Sequence, residues 1–72
     1  MAKKPPISNR IASLRESHGQ MSQALLAKTI GVTRQTIIAI EKGHYSPSLE
    51  SAFRISRVFG AQLEQVFGWE ET

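Results

Sequence analysis

Residues 22–43 constrain this chain more than any other stretch. They read Ser-Gln-Ala-Leu-Leu-Ala-Lys-Thr-Ile-Gly-Val-Thr-Arg-Gln-Thr-Ile-Ile-Ala-Ile-Glu-Lys-Gly. Apolar residues recur there at helical spacing, in two short runs separated by Gly31-Val32. A hydroxyl at an N-cap accepts hydrogen bonds from otherwise unpaired backbone N–H groups, so Ser22 is placed to open one helix and Thr33 the next. Helices commonly end on a residue in the left-handed conformation, which glycine adopts without steric cost; Gly31 and Gly43 stand at those two ends. Two caps, two glycine stops and a turn of about three or four residues describe two helices folded against each other.

The rest of the chain must pack around that pair. Its 72 residues make one domain, and a chain this short hides little apolar surface from water. The 40% apolar content is ordinary for a soluble domain. Cysteine is absent, which excludes a disulfide staple and a cysteine-held zinc. His18 and His44 belong to different segments, so no metal or cofactor is expected. The core is expected to rest on helix packing, helped by a second subunit. No apolar run approaches the roughly 18 to 20 residues that span a bilayer. Residues 1–7 lack the apolar stretch of a signal peptide. A cytoplasmic protein without membrane attachment is the expectation.

The pattern predicts an all-α chain of five helices. The first starts at Ser8 or Asn9, both good caps, and runs to about Ser17 with Ile11 and Leu14 inward. A break follows at His18-Gly19-Gln20. The second helix covers about residues 23–29, with Leu26, Ala27 and Ile30 inward. The third covers about residues 34–42, with Ile37 and Ile40 inward. A loop at 44–47 leads to a fourth helix, from Leu49 to about Phe59, whose buried face is Leu49, Ala52, Ile55, Ser56 and Phe59. Gly60 ends it, and a short fifth helix covers about residues 62–67. No strand alternation is visible. The domain is expected over residues 8–67, behind a flexible basic arm (1–7) and ahead of a short tail (68–72).

Charge and side-chain type then suggest a partner. Residues 1–47 hold seven lysines and arginines against two glutamates, a net of +5, and residues 48–72 hold two arginines against four glutamates, a net of −2. A basic front and an acidic back suit a polyanion on one side, though surplus lysines are also common on small soluble domains. The second helix of the central pair opens with Arg34 and Gln35, side-chain types that read base edges in a DNA major groove. Arg34 can pair bidentately with guanine O6 and N7, for about 1–3 kcal/mol of discrimination. Its alternatives are a phosphate contact or simple solvation. Gln35 can pair with adenine N6 and N7. Ile38, apolar on the outward side, either meets a thymine methyl or is an exposed isoleucine. Gln23 and Thr33 are phosphate candidates, because amides at a helix N-terminus attract anions. Thr36 adds a hydroxyl. Lys3 and Lys4 read as a solvated tail or as an arm on phosphates.

Taken in order, Ser22-Gln23, Leu26-Ala27, Ile30-Gly31-Val32, Thr33-Arg34-Gln35-Thr36-Ile37, Ile40-Glu41-Lys42-Gly43, Pro47-Ser48-Leu49 and Phe59-Gly60 resemble the Cro/repressor helix-turn-helix family. That family includes the lambdoid phage repressors and the xenobiotic-response-element-type regulators of bacteria and archaea. The likeness spans about residues 8–67. It implies a five-helix, lambda-repressor-like DNA-binding domain with its helix-turn-helix at the second and third helices. It implies that Arg34 and Gln35 occupy base-reading positions, and that Ala39 matches a third, where a methyl meets a thymine methyl. Lys42, His44, Tyr45 and Ser46 fall where the family gathers its backbone contacts; Tyr45 is otherwise a packing residue with a polar tip. Arg15 and Glu41 match an ion pair that ties the first helix to the end of the recognition helix. The family's last helices form a homodimer contact, which implicates Val58, Leu63, Val66, Phe67 and Trp69. In the alternative, Phe67 and Trp69 only close the monomer core. Two-fold pairing sets two recognition helices about one DNA turn, roughly 34 Å, apart. The chain departs from the pattern at Leu25, which removes the capping-box partner of Ser22, and at Gln62, which leaves the fifth helix weakly capped.

The expectation is a sequence-specific regulator of transcription that binds double-stranded DNA, a repressor acting as a homodimer on a pseudo-palindromic operator. A restriction controller and an antitoxin share the same domain, and an antitoxin would bring a toxin partner. An enzyme needs converging groups in a cleft, whereas here the carboxylates are scattered and the serines lie at caps. A pure protein-interaction module would show no DNA binding with a salt slope.

Overall fold

Hydroxyl caps set the start of three helices. In the computed structural model, which describes residues 5–70, the chain runs through α1 (Ile11–Ser17), α2 (Gln23–Ile30), α3 (Arg34–Glu41), α4 (Leu49–Val58) and α5 (Leu63–Val66). Ser22 Oγ accepts from the Leu25 N–H at 3.0 Å, Thr33 Oγ1 from the Thr36 N–H at 3.2 Å and Ser48 Oγ from the Ser51 N–H at 3.1 Å. These bonds satisfy amides that the opening turn of a helix leaves without partners. At α5 the glutamine at the N-cap is served from the other direction: Gln65 Oε1 accepts from the Gln62 N–H at 2.7 Å. The weak cap expected at Gln62 is thus replaced by a bond from the third helical residue.

All five expected helices are present, but α1 begins at Ile11 rather than at Ser8 or Asn9. The residues before it are extended. They form β1 (Ile7–Asn9), which pairs antiparallel with β2 (Phe67–Trp69), Ile7 opposite Trp69, Ser8 opposite Gly68 and Asn9 opposite Phe67. The ladder is prolonged by Arg10 N–H to the Val66 carbonyl at 2.8 Å and Glu70 N–H to the Pro6 carbonyl at 2.7 Å. The expected absence of strands is therefore corrected. Ile7 belongs to the folded body rather than to an arm, and Gly68 and Trp69 to a strand rather than to a tail. Lys3 and Lys4 lie outside the described residues. A side chain at position 68 would meet Ser8, since a Cβ there would stand 2.7 Å from Ser8 Oγ. The close crossing of the two strands accounts for that glycine.

The core fills the space where the five helices converge. Ile11, Leu26, Ile37 and Ile55 are fully buried and Val66 is 1% exposed. Ala27, Ile30, Ile40 and Phe59 join them. The His18 and Phe59 rings pack in an edge-to-face arrangement with centroids 5.1 Å apart. Two expectations fail here. Leu49, assigned to the buried face of α4, is 69% exposed, because the first residue of that helix projects past its neighbours. Val66, assigned to a subunit contact, is inside the monomer.

Candidate nucleic-acid interface

The third helix turns one stripe inward and the opposite one out. Ile37 and Ile40 are buried. At about 100° per residue, that places Gln35, Ile38, Ala39 and Lys42 on the far side, with Arg34 at the leading edge. Arg34, Gln35 and Lys42 are exposed; Ile38 and Ala39 are half-buried. Thr33 and Thr36 sit at the start of the same helix, their hydroxyls 3.0 Å apart. Thr33 Oγ1 is already engaged as a cap, so it offers only its remaining hydrogen-bonding capacity to a phosphate.

The end of α3 is shaped by Gly43, whose φ of 76° lies in the left-handed region. Gly43 N–H donates to the Ile40 carbonyl and His44 N–H to the Ala39 carbonyl, both at 3.0 Å. This crossed pair closes the helix and turns the chain away from its axis. His44 and Tyr45 emerge exposed, with Ser46 half-buried. Arg34, Gln35, Ala39, Lys42, His44 and Tyr45 thus come from one helix and the turn that follows it.

An ion pair fixes this helix to the body. Arg15 Nε donates to Glu41 Oε2 at 2.8 Å and a terminal guanidinium nitrogen of Arg15 donates to Glu41 Oε1 at 3.0 Å. The other terminal nitrogen donates to the Met21 carbonyl at 2.8 Å. The side chains are 17% and 11% exposed, so the pair is largely desolvated. Hydrogen bonding to Glu41 raises the Arg15 pKa above its ordinary value, against the opposing pull of burial. Gln23 Nε2 donates to the same Glu41 Oε1 at 3.1 Å, and Arg34 reaches Gln23 Oε1 in a long contact of 3.5 Å. The side chain expected on phosphates therefore sits between the buried pair and the leading arginine. Sequence spacing did not indicate that link.

The other expected contact residues lie elsewhere. Leu63, Phe67 and Val58 are half-buried, and Trp69 is 67% exposed. Leu63 lines an open apolar cleft with Ile7, Pro47, Leu49, Ala52 and Phe67, and an adjoining one with Trp69. A third cleft adds Phe53 and Arg57. None of these clefts is lined by α2 or α3, so the apolar surface and the α3 stripe are separate. Ile7 and Leu49 enlarge the apolar surface beyond the expected set. Among the described residues no helix is long and apolar enough to cross a membrane.

A capped helix pair with the outward stripe of its second helix exposed and its end clamped by a buried ion pair has the geometry of a helix-turn-helix DNA-binding domain. The sequence matches the helix-turn-helix family over residues 11–66, and the chain belongs to that family in its Cro/repressor form, as a transcriptional regulator. It is 48% identical over 65 residues to an uncharacterized HTH-type transcriptional regulator of Methanocaldococcus jannaschii, covering 90% of this chain and 97% of that protein. The HTH-type transcriptional regulator YgzD of Bacillus subtilis, also uncharacterized, shows the same identity and coverage, 48% over 65 residues, 90% and 97%. The transcriptional repressor RstR of the cryptic phage CTXphi from Vibrio cholerae is 32% identical over 65 residues, which cover 90% of this chain and 58% of RstR. In fold, the chain resembles the crystal structure of a candidate DNA-binding protein from Bacteroides fragilis. The TM-score is 0.73 at 21% identity, with 86% of this chain and 98% of that one covered.

Proposed function

We propose that this regulator is a repressor that binds double-stranded DNA in the cytoplasm as a homodimer, each copy laying α3 in the major groove of one half of a pseudo-palindromic operator. The observation that carries the reading is the exposed stripe of α3, with Arg34 at its leading edge and its far end anchored through Glu41 to Arg15. In this motif the N-terminal residues of the second helix reach base edges. Arg34 reads guanine, Gln35 reads adenine, and Ala39 with Ile38 meets thymine methyl groups. Gln23, Thr33, Thr36, Lys42, His44, Tyr45 and Ser46 hold the phosphates on either side and set the register.

The apolar surface around Leu63 supports the dimer. A monomer this small seldom leaves Trp69, Leu49 and Phe53 so exposed without a partner. Leu63, Phe67 and Trp69 supply the contact; Val58, packed against the core, lines none of the three clefts. A two-fold axis through that surface leaves both α3 helices free. Selection of bound duplexes from a random pool tests the reading. The expected product is a palindrome with a guanine in each half-site. Recovery of unselected sequence at every salt concentration would overturn it.

A further inference from the structure

Asn9 stands outside the helix-turn-helix, at the end of β1, yet its side chain is bonded to the recognition helix. Asn9 Nδ2 donates to the Ile40 carbonyl at 2.9 Å, and Asn9 Oδ1 accepts from the Ile11 N–H at 3.1 Å. The residue is half-buried, and the first of these bonds spans 31 positions of sequence. The Ile40 carbonyl also accepts from the Gly43 N–H at 3.0 Å. A carbonyl has two lone pairs. One is taken by the turn that ends α3, and the other by the strand. β1 is itself paired with β2, so the Asn9 amide joins the end of α3 to a ribbon made from both ends of the domain.

We propose that Asn9 is a positioning residue for DNA recognition. By holding the Ile40 carbonyl it fixes the turn at Gly43, and that turn sets the course of residues 42–46 toward the phosphate backbone. Asn9 touches no DNA. The role needs a donor and an acceptor on one short planar group, which asparagine supplies and aspartate, serine and leucine do not. The inference rests on the reading that α3 and the following turn face the duplex.

Two variants separate the tether from the fold. Asn9→Asp keeps the shape and the acceptor for the Ile11 N–H but has no donor for Ile40. Asn9→Ser is neutral, can still cap the Ile11 N–H and is too short to reach Ile40. In the free protein, both variants are expected to exchange the Gly43 and His44 amides about five- to tenfold faster, as suits the removal of one hydrogen bond, with the Val32 amide at the corresponding turn after α2 unchanged. On a selected duplex, the slope of log affinity against log salt is expected to become shallower by about 0.9 for each phosphate that residues 42–46 no longer neutralise. Unchanged exchange in both variants overturns the tether. Faster exchange with an unchanged salt slope overturns the positioning role and leaves Asn9 a structural residue. Failure of the native chain to bind any duplex is a different result, seen before either variant is made, and it removes the DNA reading itself.

Discussion

Replacing Arg15 by alanine removes three hydrogen bonds at once. Glu41 loses both guanidinium donors and keeps Gln23, while the Met21 carbonyl loses its side-chain donor. The carboxylate is left 11% exposed without a countercharge. Breaking a buried pair by removing one partner costs about 3–5 kcal/mol. The residual exposure gives water a path to Glu41 and places this case near the lower end, about 3 kcal/mol. A domain of this length is stable by roughly 4–11 kcal/mol in total, so the loss is a large part of the whole. Urea unfolding followed by circular dichroism measures it. With a slope of about 1 kcal/mol/M, the midpoint falls by about 3 M. Arg15→Lys should fall between the two, since it keeps the charge and loses the fork. Arg15→Met combined with Glu41→Leu should recover much of the loss, because no charge is then stranded. The pair adds no pH dependence through Arg15 across the neutral range. A raised pKa leaves its stabilisation complete below the ordinary arginine value and removes it only as pH climbs through the raised one. A midpoint shift equivalent to less than about 0.5 kcal/mol, the size of an exposed ion pair, would refute the reasoning. So would a variant that melts like the native chain but has lost its DNA affinity.

Three further outcomes follow from the packing. Val66→Ala should cost about 2–3 kcal/mol in the same melts, from lost methyl burial plus a cavity, because Val66 is 1% exposed within the monomer. Gly43→Ala should cost about 1–2 kcal/mol of backbone strain alone, since φ is 76° and an added Cβ would meet nothing within 4 Å. Leu63→Glu should shift sedimentation from dimer to monomer with helix content retained, and an unchanged sedimentation coefficient would remove Leu63 from the contact.

The helix pair was legible because its signals are local. Ser22, Thr33, Gly31 and Gly43 act through bonds within four or five residues, and each does what its type predicts. The inward positions of α2 and α3 were legible for the same reason, since a period of 3.6 shows over eight residues. The ribbon was not. Ile7–Asn9 and Phe67–Trp69 are three residues each, too short for an alternation to register, and what makes them strands is pairing across the length of the chain. Val66 shows a second limit. Hydrophobicity marks a residue for burial without saying whether the burying surface is its own chain or another, and here its own chain takes it. Leu49 errs the opposite way: its spacing matches the buried face, but as the first residue of α4 it stands at the open edge of a cleft and is left exposed. Gln23 was legible as a polar residue at a helix start, while its place between Glu41 and Arg34 depends on the angle between two helices.

The central claim is that Arg34 reads a guanine. Affinities of the native chain and of Arg34→Ala for a selected duplex, each measured again with that guanine replaced in both half-sites, test it in one cycle. The native chain should lose about 1–3 kcal/mol per half-site on base replacement, and Arg34→Ala should bind both duplexes alike. A variant that still prefers the original duplex by the native margin would show that another side chain makes the distinction.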